Sequence, residues 1–108
     1  MQQRSQRVAE LVRQTAGHGL QKLLPQLQLT ITRVIISPDL RYGDVWVSQL
    51  KGAHQPGEII EEINERSPEL QAALGKSLKT KFTPKLRWHL DSGSEHTDHI
   101  EKLLKSLE

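Results

Sequence analysis

The sequence predicts an α+β domain, a small three-stranded sheet covered on one face by helices. Three observations predict it. Apolar residues recur at spacings of three and four over Ser5–Leu24 and again over Glu58–Phe82, the period of an amphipathic helix. Between these regions, Leu27–Ser37 and Asp44–Leu50 are rich in β-branched residues and flank a turn-forming Ser37-Pro38-Asp39-Leu40, which reads as an antiparallel strand pair. Beyond the second helical region, Pro84–Leu90 alternates Leu86, Trp88 and Leu90 with Lys85, Arg87 and His89, the two-residue period of a half-buried strand.

In the first helix, Val8, Leu11, Val12, Thr15, Ala16, Leu20, Leu23 and Leu24 share one face. Gly17 and Gly19 each weaken a helix interior by about 1 kcal/mol relative to alanine. Either a close backbone approach or a break near Ala16 is therefore expected, and Pro25 ends the helix. Gly52, Pro56 and Gly57 mark Lys51–Gly57 as a loop. The second helical region aligns Ile60, Ile63, Ser67, Leu70, Leu74 and Leu78, with Pro68 in the middle. An interior proline lacks an amide donor and crowds the carbonyl four residues earlier, here Asn64, at a cost of about 3 kcal/mol. Ser67-Pro68-Glu69 also has the makings of a helix start: a serine cap, a proline in the first position and an acid in the first turn. A kink or a restart is expected there. The proline at Pro84 suits an edge strand. Thr97, Ile100, Leu103, Leu104 and Leu107 have helical spacing within Ser94–Leu107. The order is helix-strand-strand-helix-kink-helix-strand with a short C-terminal helix, compatible with a KH-like module.

A chain of 108 residues has room for one core, so residues 1–108 are read as a single domain. Hydrophobic residues make up 35% and charged residues 26%, a balance that folds rather than stays disordered. No apolar run reaches the ~18–20 residues that span a bilayer, and the polar start MQQRSQR has no apolar signal core. A cytoplasmic address with no membrane partner is the expectation. The absence of cysteine removes disulfides, thiolate metal sites and a cysteine nucleophile. Without a phosphate-cradling glycine loop or a supported Ser-His-Asp ordering, no catalytic residue is assigned and an enzyme is not expected. His96 and His99 have helical spacing but no third ligand, so neither a metal nor a cofactor is expected.

The net charge is only +2, but the charges are segregated along the chain. Over Glu58–Glu69, five glutamates face Arg66 alone. From Leu70 to Leu90 there is no acid, while Lys76, Lys79, Lys81, Lys85 and Arg87 fall within twelve residues. Such a stripe is the footprint of a polyanion binder, although a solvated basic face leaves the same mark.

Arg7–Arg13 (RVAELVR), Ile36–Leu50 (ISPDLRYGDVWVSQL) and Leu70–Leu86 (LQAALGKSLKTKFTPKL) together resemble segments of the ribosome-binding factor A family. The first is similar to the opening helix of that family. The second is similar to its Ser-x-Asp-Leu-x-Tyr-Ala-x-Val-Tyr-Val-Ser segment, and the third to its Leu-Gly-Lys-x-Leu-x-Leu-Arg-x-x-Pro-x-Leu stretch. Asp91-Ser92 and the Ile100–Leu104 region then fall in place. Two departures stand out. Leu24-Pro25-Gln26 replaces the family's Asp-Pro-Arg-type loop, and Arg66-Ser67-Pro68 replaces its Ala-x-Gly kink. Pro68 offers no N–H to a phosphate and Glu69 adds negative charge, which leaves Arg66 as the group for a bidentate phosphate contact.

The resemblance implies a monomeric, non-catalytic factor that binds small-subunit rRNA of the 16S type. Its implied partners are the small ribosomal subunit and its precursor, whose late maturation it assists, with a link to cold adaptation. Arg4, Arg7, Arg41, Arg66, Lys76, Lys79, Lys81, Lys85 and Arg87 are the predicted RNA contacts, with Arg41 alternatively pairing with Asp39 or Asp44 at the turn. Tyr42, Trp46 and Trp88 are candidate base-stacking faces, although strand alternation places Trp88 with Leu86 and Leu90 in the core. A KH-like RNA-binding or adaptor protein not directed at ribosomes is the alternative.

Overall fold

The computed structural model describes residues 2–49, 56–78 and 83–91. Helix α1 (Gln2–Leu23) leads through a 3-10 turn (Pro25–Leu27) into β1 (Leu29–Ile36). Strand β2 (Tyr42–Gln49), helix α2 (Pro56–Ser77) and strand β3 (Lys85–Leu90) follow. The sheet order is β1-β2-β3, with β1 antiparallel and β3 parallel to the central β2. The predicted helix at 94–107 and the histidines within it lie outside the described residues.

α1 is one unbroken helix, so the expected break near Ala16 does not occur. The close approach does occur, at Gly19: a Cβ there would sit 2.6 Å from Leu70 Cδ2 on α2. The glycine lets the two helices touch, and that packing offsets its weak helix propensity. Val8, Val12, Ala16 and Leu20 point into the core, whereas Leu11, expected on the same face, is 41% exposed. Leu24 N–H still bonds Leu20 O at 2.8 Å, after which Pro25 starts the 3-10 turn and Gln28 adopts a left-handed backbone (φ 51°). This turn consumes Leu27 and Gln28, so β1 begins at Leu29 rather than Leu27.

The turn between β1 and β2 falls where its residues predict. Leu40 N–H bonds Ser37 O at 2.9 Å, with Leu40 itself left-handed (φ 64°). Ser37 Oγ donates to Asp39 Oδ1 at 2.7 Å and accepts from Tyr42 N–H at 3.0 Å, while Arg41 N–H also reaches Asp39 Oδ1 at 3.1 Å. Two short polar side chains thus close the turn, and pairing starts at Tyr42, two residues before the expected Asp44. A bulge at Thr32 interrupts β1, since Ile31 faces Val47 and Arg33 faces Trp46.

α2 corrects the expected restart. Pro56–Ser77 is a single helix with Pro68 inside it, so Ser67 caps nothing and Glu69 does not begin a helix. Pro68 is on the exposed side. Ile63 before it and Leu70 and Leu74 after it are all buried, and at about 1.5–3 kcal/mol per buried side chain their packing outweighs one lost backbone bond. Ile59, rather than Ile60, is the fully buried residue of the first turns. Farther along, Gln71 reaches the sheet: its Nε2 donates to Pro84 O at 3.1 Å and its Oε1 accepts Leu86 N–H at 2.9 Å. β3 is an edge strand as expected, and this side chain satisfies backbone groups that its open edge would otherwise leave unpaired.

Two outcomes follow from these contacts. Gln71→Ala should lower stability by about 1–2 kcal/mol in urea denaturation and speed hydrogen exchange at the Leu86 amide. The Ser37 hydroxyl, helped by the Arg41 N–H, holds the Asp39 carboxyl below its ordinary value of 3.8. That contribution is complete above pH 3.8 and is lost as pH falls through the lower folded-state value. Asp39→Ala should therefore be less stable than the parent at neutral pH, with the gap narrowing in acid denaturation curves below that value.

Candidate functional site

The two faces of the sheet differ in chemistry. Val45 and Val47 of β2 and Leu86 and Trp88 of β3 join the helix residues in one buried apolar cluster. Alternation then sends Tyr42, Asp44 and Trp46 to the opposite face. The parallel register places them beside Lys85, Arg87 and His89 respectively. Six polar or aromatic side chains from two strands are so brought into one patch.

Asp44 is its centre. The residue is only 3% exposed, and a carboxylate taken out of water at that depth needs charged or hydrogen-bonding partners. Arg87 Nη2 donates to Oδ2 at 2.9 Å and His89 Nε2 to Oδ1 at 2.8 Å. Both are charge-assisted contacts when Asp44 is ionised, and the second places the imidazole proton on Nε2. The His89 ring stacks on Trp46, with centroids 4.8 Å apart and planes 25° from parallel. Arg87 Cζ lies 5.5 Å from the centre of the Tyr42 ring. The result is a continuous ladder, Tyr42–Arg87–Asp44–His89–Trp46.

The aromatic candidates separate by burial. Trp46 is fully buried and Trp88 is 7% exposed, so neither offers a face to a ligand, whereas Tyr42 is 47% exposed. Trp46 is buried against His89, on the sheet face away from the helix-facing cluster.

The predicted cationic contacts divide into several groups. Arg41, Lys85 and Arg87 are brought together at one end of the sheet, where Lys85 N–H bonds Arg41 O at 2.8 Å. Lys76 stands exposed on the last turn of α2, and Arg4 and Arg7 stand exposed on the first turns of α1. Among the described residues, neither Lys76 nor Lys85 forms an ion pair. Arg66 instead pairs with Glu69 at 2.9 Å, with both side chains about half exposed. At turn level, Asp39 bonds the Arg41 backbone N–H, and the Asp44 carboxylate is taken by Arg87 and His89. Lys79 and Lys81 lie outside the described residues. A groove of about 520 Å³ between α1 and α2, lined by Thr15, His18, Gly19, Leu70, Ala73 and Ser77 among others, contains none of the predicted contacts. Among the described residues no three potential ligands cluster to hold a metal, and no helix is long and apolar enough to cross a membrane.

Sequence reasoning placed Lys85, Arg87 and His89 on one side of β3 but missed Asp44 as the anchor of Arg87 and His89. A signal was present: an acid flanked by Gly43 and Val45 and followed by the apolar run Val45-Trp46-Val47. Its partners, more than forty positions away, become neighbours only when β3 aligns with β2.

A single mixed sheet backed by two helices, with a basic and aromatic outer patch, defines a KH-like α+β domain. Solved structures share it. A candidate ribosome binding factor A from Thermotoga maritima superposes with a TM-score of 0.71 at 28% identity, over 85% of this chain and 91% of that one. Ribosome-binding factor A from Thermus thermophilus gives 0.72 at 20% identity, over 83% and 98%. A third neighbour is a homology model of the Thermus thermophilus protein as fitted into a cryo-EM map of a 30S complex with ribosome-binding factor A, with a TM-score of 0.68 at 21% identity over 81% and 94%. In sequence, ribosome-binding factor A of Bdellovibrio bacteriovorus is 38% identical over 83% of this chain and 66% of its own length. The Akkermansia muciniphila protein of the same description is 28% identical over 100% and 87%. The family model described as ribosome-binding factor A matches residues 4–104. The chain belongs to the ribosome-binding factor A family.

Removing the anchor of the outer patch should be felt in stability. Asp44→Ala leaves two donors without their acceptor, and because Arg87 is half exposed the loss should be about 1–3 kcal/mol, measured by chemical denaturation.

Proposed function

We propose that this chain is a non-catalytic ribosome-binding factor that binds small-subunit rRNA and assists late maturation of the small ribosomal subunit. It acts in the cytoplasm as a monomer, on the subunit and its precursor. The observation that carries this reading is the family match over residues 4–104. A structural neighbour that has been fitted into a 30S complex adds support, as does the surface chemistry of the chain itself.

That chemistry suits a ligand read by its backbone. RNA presents closely spaced phosphates, and lysines and arginines that neutralise them release condensed counterions, so affinity depends strongly on salt. Lys76, Lys85 and Arg41 are exposed and are the leading contacts, joined by Arg4 and Arg7 on α1 and by Lys79 and Lys81. Arg66 and Arg87 already bond Glu69 and Asp44 and contribute whatever donors those carboxylates leave over. The acidic first half of α2, with Glu58, Glu61, Glu62 and Glu65 on one face, repels phosphate and orients the basic end toward it.

Co-sedimentation tests the reading. The chain should travel with small subunits and more strongly with their precursors, and recovery only with free RNA or a protein would overturn the ribosomal assignment. The double reversal Lys76→Glu with Lys85→Glu should weaken RNA binding and flatten its salt dependence by about 0.7 per lost phosphate contact on single strands.

A further inference from the structure

Tyr42 has features that RNA backbone binding leaves unused. It is the chain's one tyrosine and, at 47% exposed, a large apolar side chain left open to solvent at the start of a central strand. Its backbone is held on both sides: its N–H bonds Ser37 Oγ at 3.0 Å and its carbonyl accepts Ser37 N–H at 2.9 Å. Its ring is backed by Arg87, whose guanidinium stands 5.5 Å from the centroid and is itself pinned by buried Asp44 at 2.9 Å. One ring face is thus occupied by a fixed cation, and the exposure belongs to the other face and the ring edge.

We propose that Tyr42 is a stacking platform for one unpaired nucleobase of a single-stranded RNA segment, with Lys85 placed for the adjoining phosphate. The inference rests on the RNA-binding reading above and adds the ligand's local form, an unpaired base rather than a duplex. Three physical points carry it. A tyrosine ring with two side-chain torsions, already immobilised by Arg87, loses little entropy when a base lands on it. Lys85 is the register partner of Tyr42, is exposed and forms no ion pair among the described residues; Arg41 precedes the tyrosine and is also exposed. The nearby acids are committed elsewhere: Asp44 is buried beneath Arg87 and His89, and Asp39 is bonded into the turn by Ser37 and the Arg41 N–H. An apolar ring face bordered by cations complements a nucleotide, whose base stacks while its phosphate meets a cation; the cations alone attract any polyanion, so stacking is what singles out an unpaired base. The test therefore isolates the stack.

Binding of the full chain to short oligoadenylate and to a duplex RNA of the same length is measured for the parent, Tyr42→Phe, Tyr42→Leu and Tyr42→Ala. Stacking needs the ring and not the hydroxyl, so Tyr42→Phe should bind oligoadenylate as the parent does. Tyr42→Leu and Tyr42→Ala should lose about tenfold, with duplex binding and the salt slope unchanged because no phosphate contact has gone. The Tyr42 ring protons should also move upfield when oligoadenylate is added. If Tyr42→Ala disturbs folding, Tyr42→Leu retains apolar bulk and carries the same comparison. Parent-like affinity in both folded variants overturns the platform. If the lysine reversals still weaken binding in that case, the RNA reading stands without it; if the parent binds neither RNA nor small subunits, both fall.

Discussion

Parallel strands cannot be joined by a tight turn, so the chain between β2 and β3 must cross the full length of the sheet, and α2 makes that crossing. The register it sets governs everything on either side of β2. Toward the helices, Leu86 and Trp88 fill the cluster built by Val45, Val47, Leu20, Ile63 and Leu74. Away from them, Lys85, Arg87 and His89 come beside Tyr42, Asp44 and Trp46. A slip of one residue would exchange the two sets, sending two lysine- and arginine-type heads into the core and two large apolar groups to the surface. Gln71, bonding Pro84 and Leu86 from α2, holds the edge strand in that register.

The buried carboxylate of Asp44 adds specificity to that alignment. Apolar contacts tolerate sliding, because many arrangements bury similar area. An acid that is 3% exposed does not: left without Arg87 and His89 it would carry the desolvation penalty of a charge with nothing in return. Its two bonds at 2.8 and 2.9 Å reward one pairing of β2 with β3 over its neighbours. The same bonds fix Arg87 against Tyr42 and His89 against Trp46, so an interaction that selects the fold also shapes the surface on which an RNA would rest.

Charge along the chain is converted by the fold into charge across the molecule. α2 carries Glu58, Glu61, Glu62 and Glu65 in its first half and Lys76 on its last turn, and the chain then enters β3 at Lys85 beside Arg41. Arg66, the basic residue inside the acidic half, is paired with Glu69 at the surface, where such a pair is worth 0–1 kcal/mol at most. The helix through Pro68 also lacks the glycine-lined junction by which KH modules bring backbone close to phosphate. On the proposed reading, recognition then falls to side-chain cations and the exposed ring of Tyr42.

Much of this was legible in the residues alone. Period and turn chemistry located both helices, the antiparallel pair, the Ser37–Leu40 turn and the edge character of β3, because each of these depends on residues within a few positions of one another. The family was legible too, in motifs that keep a turn and a strand together. The unbroken course of α1 and α2 was not: Gly19 and Pro68 weaken a helix locally, and only Leu70 against Gly19, and the buried faces of Ile63 and Leu74 on either side of the proline, outweigh them. Nor was the Asp44 ladder, whose partners lie more than forty residues apart. Local propensity is encoded between near neighbours and the sequence determines it directly; which strand lies beside which, and therefore which side chains meet, is decided by the burial that the assembled tertiary structure makes possible.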